Sequence, residues 1–102
     1  MILLLGEQRN IREYLKTEGI PREKVYSCPA CVTHHTKFHR YIYRIEERKP
    51  EAVITQSLEM VDILLHSHLD FAVITVRKDG TRTMTKEDAL YCREHFDMEL
   101  RD

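Results

Sequence analysis

Short apolar segments alternate with longer amphipathic segments along this chain, and this alternation restricts the fold more than any other feature. Five runs have the length and composition of strands: Met1–Leu5, Lys24–Ser27, Ala52–Thr55, Phe71–Val76 and Thr81–Met84. Four segments, residues 10–19, 36–49, 58–68 and 85–100, carry apolar residues at helical spacing. Strands that alternate with helices of this length build βαβ units. We therefore expect one three-layer α/β domain over residues 1–102, with a mostly parallel sheet of four or five strands.

The ends of these segments carry local signals that set their boundaries. Asn10 and Thr85 each precede an acidic residue by three positions, the spacing of a capping box, and Ser57 can cap the third helix. The tight-turn sequence Lys78–Gly80 predicts that Thr81–Met84 returns as an antiparallel edge strand. The expected sheet is therefore of the Rossmann-like or thioredoxin-like kind.

Charge and length exclude several classes of protein. The 102 residues carry a net charge of −1, so no overall field attracts the chain to nucleic acid or to an anionic membrane. Nucleic-acid binding would have to use a local basic helix face, and the charge balance does not favour it. The N-terminal apolar run Ile2–Leu5 is too short for a secretory or membrane-spanning segment, so we expect a cytoplasmic protein.

The chain has no phosphate-binding glycine loop. Such a loop needs small residues whose backbone N–H groups turn toward the phosphates, with a lysine that reaches them. The patterns G-x-x-x-x-G-K-[ST] and G-x-G-x-x-G are both absent, because Gly6, Gly19 and Gly80 are isolated. Their spacing assigns them to a strand end, a helix end and a hairpin turn. The chain is therefore not a self-sufficient nucleotide hydrolase.

The order of motifs over residues 37–101 is nevertheless informative. Glu51–Leu65 reads E-A-V-I-T-Q-S-L-E-M-V-D-I-L-L, Phe71–Gly80 reads F-A-V-I-T-V-R-K-D-G, and Thr85–Arg101 forms a final helical segment. This order resembles the last part of ABC-type ATPases of the recombination and overcoming-lysogenization classes. In that family a strand ends in a T-H-S switch motif, followed by an L-E-x-[IV]-D-x-L-L helix, a strand, a D-G hairpin and a last helix.

The resemblance implies half of a phosphate-loop ATPase fold, with changes at the positions that carry chemistry. The switch histidine of the family corresponds to Gln56 here, which can donate a hydrogen bond but cannot become charged. The metal-binding aspartate of the family corresponds to Gly6, so that only Glu7 remains of an acidic pair. The resemblance therefore implies a degenerate, non-catalytic module with weak cofactor-binding positions at Glu7 and Gln56. We expect it to bind a small ligand or a protein partner, including a second copy, because its sheet has an open edge.

Cysteines and histidines form a second group of candidates. Cys28-x-x-Cys31 can supply two thiolates, and Cys92-x-x-His95 can supply two more ligands from one face of the last helix. Together they would form a Cys3His zinc site. Nearer alternatives to the second pair are His34, His35 and His39.

Two other interpretations of these cysteines remain open. Cys28 could be the nucleophile and Cys31 the resolving thiol of a thioredoxin-like oxidoreductase, but no proline follows Pro50 to form the cis-proline that such sites contain. Alternatively, Cys92 packs in the core and the first pair are idle thiols. The sequence identifies no other catalytic set.

Overall fold

The computed structural model describes residues 1–28 and 35–95, with the backbone alone at 35–38. Within these ranges the strands are β1 (Ile2–Gly6), β2 (Val25–Ser27), β3 (Ala52–Ile54), β4 (Ala72–Arg77) and β5 (Gly80–Thr85). The helices are α1 (Gln8–Glu18), α2 (His35–Arg48), α3 (Leu58–Leu65) and α4 (Lys86–His95), and a 3₁₀ turn over Arg22–Lys24 precedes β2. The α/β class predicted from the alternation of segments is confirmed.

The five strands form one mixed sheet in the order β2-β3-β1-β4-β5. β1 pairs in parallel with β3 on one side and with β4 on the other, and β2 pairs in parallel with β3. β5 returns antiparallel to β4 across the turn at Lys78 and Asp79. The predicted mostly parallel sheet with one antiparallel edge strand is therefore confirmed.

The helices cover the two faces of the sheet unequally. On one face, the buried residues Leu3, Leu5 and Val53 pack with side chains of α2, α3 and α4. On the other face, Leu4 and Ile74 pack with side chains of α1. Because alternate residues of a strand point to opposite faces, the fully buried run Leu3–Leu5 of β1 supplies both cores. Among the described helices, α1 stands by itself on its face.

The helix N-termini agree with the sequence in two cases and differ in one. The Ser57 hydroxyl accepts a hydrogen bond from the Met60 N–H at 3.3 Å, and Thr85 accepts one from the Asp88 N–H at 3.0 Å. The expected cap at Asn10 is wrong, because α1 begins at Gln8 and Asn10 lies buried inside the helix. The chain turns from β1 into α1 within one residue, which leaves no room for a separate capping segment.

Two cations attach α4 to the rest of the fold. The Lys86 ammonium donates to the Ser67 and Leu69 carbonyls, which follow α3. The Arg93 guanidinium donates to both carboxylate oxygens of Asp62, at 2.7 and 3.2 Å. These contacts join α4 to α3 on the more heavily covered face.

Within residues 1–28 and 35–95, no helix combines the length and the apolar character of a transmembrane segment.

Candidate functional site

The strand order creates a topological switch point at the carboxyl ends of β1 and β3. These strands are neighbours, but α1 leaves β1 on one face of the sheet whereas α3 leaves β3 on the other. In open α/β sheets, ligands bind preferentially in the crevice that such diverging connections leave. Gly6 and Glu7 border this crevice from β1, and Gln56 borders it from β3. The two positions that the resemblance assigned to cofactor binding therefore lie on either side of it.

Gly6 is held at the switch point by a close backbone approach. Its φ is +146°, a region that residues with a side chain rarely adopt. A Cβ atom at this position would lie 2.3 Å from the carbonyl oxygen of Val76 in β4, far inside van der Waals contact. An aspartate could therefore not replace Gly6 unless β1 and β4 moved apart. The close approach of β4 therefore explains the glycine at this position without reference to a lost metal site.

The Gln56 side chain contacts the same end of β1. Its side-chain Nε2 donates to the Gly6 carbonyl oxygen at 3.4 Å, across the mouth of the crevice. The buried Thr55 hydroxyl accepts from the Ser57 N–H at 3.1 Å, which fixes the turn into α3. Gln56 is thus a bridge between β3 and β1 rather than a charged group that faces a ligand.

Glu7 is the one residue of the family's acidic pair that remains beside this crevice. It occupies the N-cap position of α1, but its side chain makes no capping hydrogen bond. Its Oε2 lies 3.8 Å from Nη2 of Arg9, an exposed ion pair that contributes little stability. This carboxylate is paired with a guanidinium, and no group of three or more metal-ligating side chains is present among the described residues.

Cys28 directly follows β2 and is buried. Its backbone N–H donates to the Ile54 carbonyl at 2.8 Å, which continues the ladder with β3. Removal of the thiol from water raises its pKa from 9.0 to about 12. A disulfide-exchange nucleophile needs the opposite, an accessible thiol with a lowered pKa. This environment gives no support to the oxidoreductase interpretation at Cys28.

The predicted zinc ligands are widely distributed over the fold. Cys28 follows β2 at one edge of the sheet, whereas Cys92 and His95 lie on α4, which packs on α3, β4 and β5. The His95 ring stacks on Tyr91, and its Nδ1 lies 3.0 Å from the Tyr91 carbonyl oxygen. Strands are spaced about 4.8 Å apart, so β2 and β4 are separated by roughly 14 Å. The fold does not bring Cys92 and His95 toward Cys28.

The closer set of zinc ligands falls largely outside the described part of the chain. Cys31 and His34 lie outside it, as does the side chain of His35, and His39 is exposed on α2. Among the described residues, no three His, Cys, Asp or Glu side chains are arranged to hold a metal ion. Zinc binding by the Cys28–His39 segment stays a prediction.

A groove beside α1, which the sequence reasoning did not identify, opens at the carboxyl ends of β2 and β3. It has a volume of about 540 Å³. Its floor is apolar, and its rim carries cations. The floor consists of Ile11, Leu15, Ile20, Val25 and Ile54, the rim of Arg12, Lys16 and Arg22, and Gln8 and Ser27 border the mouth. None of the described lining residues is a carboxylate.

A second groove on the other side of α1 differs in charge. It has a volume of about 580 Å³ and lies over β4 and β5. Its cations Arg9, Arg77 and Lys78 are accompanied by the carboxylates of Glu13 and Glu18. The helix α1 therefore separates a groove of mixed charge from one whose described charges are all positive.

Part of this arrangement has a signal in the sequence. Ile11 and Leu15 are one helical turn apart, as are Arg12 and Lys16, so that an apolar row runs beside a basic row on α1. Ile20 joins them because its N–H donates to the Leu15 carbonyl at the end of α1. Val25 and Ile54 complete the wall, and only the sheet order places them next to α1.

Comparisons with known proteins add no assignment to these sites. No protein-family model, no curated protein and no solved structure matches the chain.

Proposed function

We propose that this chain is a non-catalytic α/β binding module, ATPase-like in scaffold, whose ligand is a small anion with an apolar body. The ligand lies in the groove beside α1, with its apolar part on the floor formed by Ile11 and Leu15. Its carboxylate, sulfonate or phosphate group faces Arg12, Lys16 and Arg22.

The state of the switch point supports the non-catalytic half of the proposal. Gly6 leaves no space for a metal-binding side chain, because a Cβ there would meet the Val76 carbonyl oxygen. The Gln56 amide donates to the Gly6 carbonyl, and its neutral side chain cannot supply the charge of the family's switch histidine. The sequence contains no phosphate loop. The chain therefore lacks the backbone cradle, the metal ligands and the charge-stabilising group that hydrolysis of a nucleotide requires.

The single observation that carries the binding half is the charge and polarity of the groove. Its volume of about 540 Å³ falls within the range of about 300–1,000 Å³ typical of small-molecule sites. Exposed ion pairs contribute only about 0–1 kcal/mol each, so the apolar floor supplies most of the affinity. Three cations without a described carboxylate then determine which ligands are accepted, because they favour anions and reject cations.

The test uses anilinonaphthalene sulfonate, a fluorescent probe that joins an apolar ring system to one anionic group. We expect it to bind the folded chain and to bind more tightly than phenylnaphthylamine, which has the same rings without the sulfonate. Replacement of Arg12 and Lys16 by alanine should weaken sulfonate binding about 5- to 30-fold, which corresponds to about 1–2 kcal/mol. The neutral probe should be much less affected.

The matched control removes two cations from the second groove, as Arg9→Ala with Arg77→Ala. This double variant has the same net charge as the first and should bind the sulfonate nearly as well as the native chain. Equal losses in both double variants would overturn the assignment of the groove. Hydrolysis of ATP by the purified chain would overturn the non-catalytic half without bearing on the groove. Each variant is first shown to unfold cooperatively, because this probe also binds partly unfolded proteins.

A further inference from the structure

Among the described residues, nothing pairs with one long edge of the sheet, which is formed by strand β5. It pairs with β4 over all six residues from Gly80 to Thr85, and no described strand pairs with its other side. Folded proteins usually shield such an edge with a proline, a bulge, several charges or a very short strand. β5 contains no proline, its register with β4 is uninterrupted, and Arg82 is its one charged residue. The opposite edge, β2, is only three residues long.

The backbone groups that point outward from β5 can be identified. The Thr75 hydroxyl donates to the Arg82 carbonyl oxygen at 3.4 Å, so this carbonyl faces β4. Backbone groups of successive residues alternate in direction along an antiparallel ladder. The Thr85 carbonyl accepts the first hydrogen bond of α4, which begins at Lys86. The N–H of Thr85 and the N–H and C=O groups of Thr81 and Thr83 therefore point away from the sheet. Their side chains are exposed on the face that α1 covers only in part.

A second copy of β5 can satisfy most of these groups in one register. A two-fold axis perpendicular to the sheet keeps each face on its own side, so opposed residues must come from the same face. When the axis passes through Thr83, the Thr83 residues of the two copies face each other, and Thr81 faces Thr85 of the second copy. The Thr83 pair then exchanges two hydrogen bonds, and each Thr85 N–H donates to the Thr81 carbonyl of the other copy.

Charge distinguishes this register from the neighbouring one. In the Thr83-centred register, Arg82 lies opposite Met84 of the second copy, so no two like charges meet directly. If the axis passed through Arg82 instead, the two guanidinium groups would face each other, which is unfavourable. Charge therefore favours Thr83.

We propose that two copies of this chain associate through β5 about a two-fold axis at Thr83, to form a continuous ten-stranded sheet. This surface lies on the opposite edge from the anion-binding groove, so the two sites are independent. The anion-binding groove of each copy, beside β2 and β3, then lies at an outer end of the dimer.

Sedimentation of the full chain over a range of concentrations tests the association, and a charge at Thr83 tests the register. We expect a monomer–dimer equilibrium for the native chain. Thr83→Glu places two carboxylates opposite each other and should weaken the dimer at least ~10-fold, as should Thr83→Lys with two ammonium groups. A mixture of these two variants should regain a one-to-one dimer, because opposite charges then meet.

Thr81→Glu is the matched control, because it adds the same charge to the same exposed edge but places it opposite Thr85 of the second copy. It should dimerise nearly as well as the native chain. Thermal unfolding of each variant checks that the exposed substitution leaves the fold intact. A native chain that stays monomeric at all concentrations overturns the proposal. Variants at Thr83 that dimerise as the native chain does, or that fail to recover on mixing, overturn the register.

Discussion

Gly6 offers the sharpest test of how the switch point is built. In Gly6→Ala the new methyl group meets two obstacles, the φ of +146° and the Val76 carbonyl oxygen at 2.3 Å. Backbone strain in a region that favours glycine costs about 1–3 kcal/mol. Forcing a group into a packed contact costs about 1–3 kcal/mol more. We expect the free energy of unfolding to fall by about 2–6 kcal/mol, a large part of the 5–15 kcal/mol roughly typical of a domain.

Gly80 separates the two contributions, because it has the same φ of +146° but no atom within 4 Å of its would-be Cβ. Gly80→Ala should therefore cost only the backbone strain, about 1–3 kcal/mol. The change from glycine to alanine in the unfolded chain is the same in both variants and cancels in the comparison. The difference between them measures the contact between β1 and β4.

Urea denaturation followed by circular dichroism gives both free energies of unfolding. We expect Gly6→Ala to be less stable than Gly80→Ala by about 1–3 kcal/mol. The prediction also holds if Gly6→Ala no longer unfolds cooperatively while Gly80→Ala still does, because the loss of stability is then larger than expected. If the two variants are equally stable, β1 and β4 do not hold Gly6 as closely as described, and the structural explanation for this glycine is refuted.

Three further predictions follow from individual contacts. Ser57→Ala removes the cap of α3 and should lower the free energy of unfolding by about 1 kcal/mol in urea denaturation, whereas Ser57→Asp should retain most of it. Asp62→Asn weakens the two hydrogen bonds from Arg93; because both side chains are partly exposed, we expect a loss of only about 0.5–1 kcal/mol, and the loss should shrink in concentrated salt. Burial raises the pKa of Cys28 to about 12, so the folded chain holds this proton more tightly than the unfolded chain does; stability should fall as the pH rises from 9.0 towards 12, and Cys28→Ala should remove that part of the pH dependence.

The strands were predictable from the sequence because their composition is local information. β1, β3 and the first five residues of β4 are rich in Leu, Val and Ile and carry no charge, and burial on both faces permits such runs. The sheet order was not predictable in the same way. The residues of β1 do not indicate that it lies between β3 and β4 and pairs with both, because those partners are more than forty residues away in the chain.

The candidate site was likewise only partly predictable from the sequence. Gly6 and Gln56 were identified as departures from a family pattern, but the physical reason for each depends on a distant partner. For Gly6 that partner is Val76, and for Gln56 it is Gly6 itself. Asn10 was misassigned as a cap because a capping-box spacing does not show where a preceding strand ends.

The groove was missed for a related reason. The basic row of α1, Arg12 and Lys16, is visible in the sequence, but such a row alone predicts no groove. Arg22, Val25 and Ile54 join it because β2 and β3 lie side by side under α1, which is a consequence of topology.

Backbone amide shifts during titration with anilinonaphthalene sulfonate show whether the groove beside α1 is the anion-binding site, because they locate the ligand on the folded chain. We expect the largest shifts along the groove, from Ile11 to Lys16, from Ile20 to Ser27, and at Ile54. Largest shifts at Glu7 and Gln56, without shifts along this groove, would contradict this expectation and would return the ligand to the switch-point crevice.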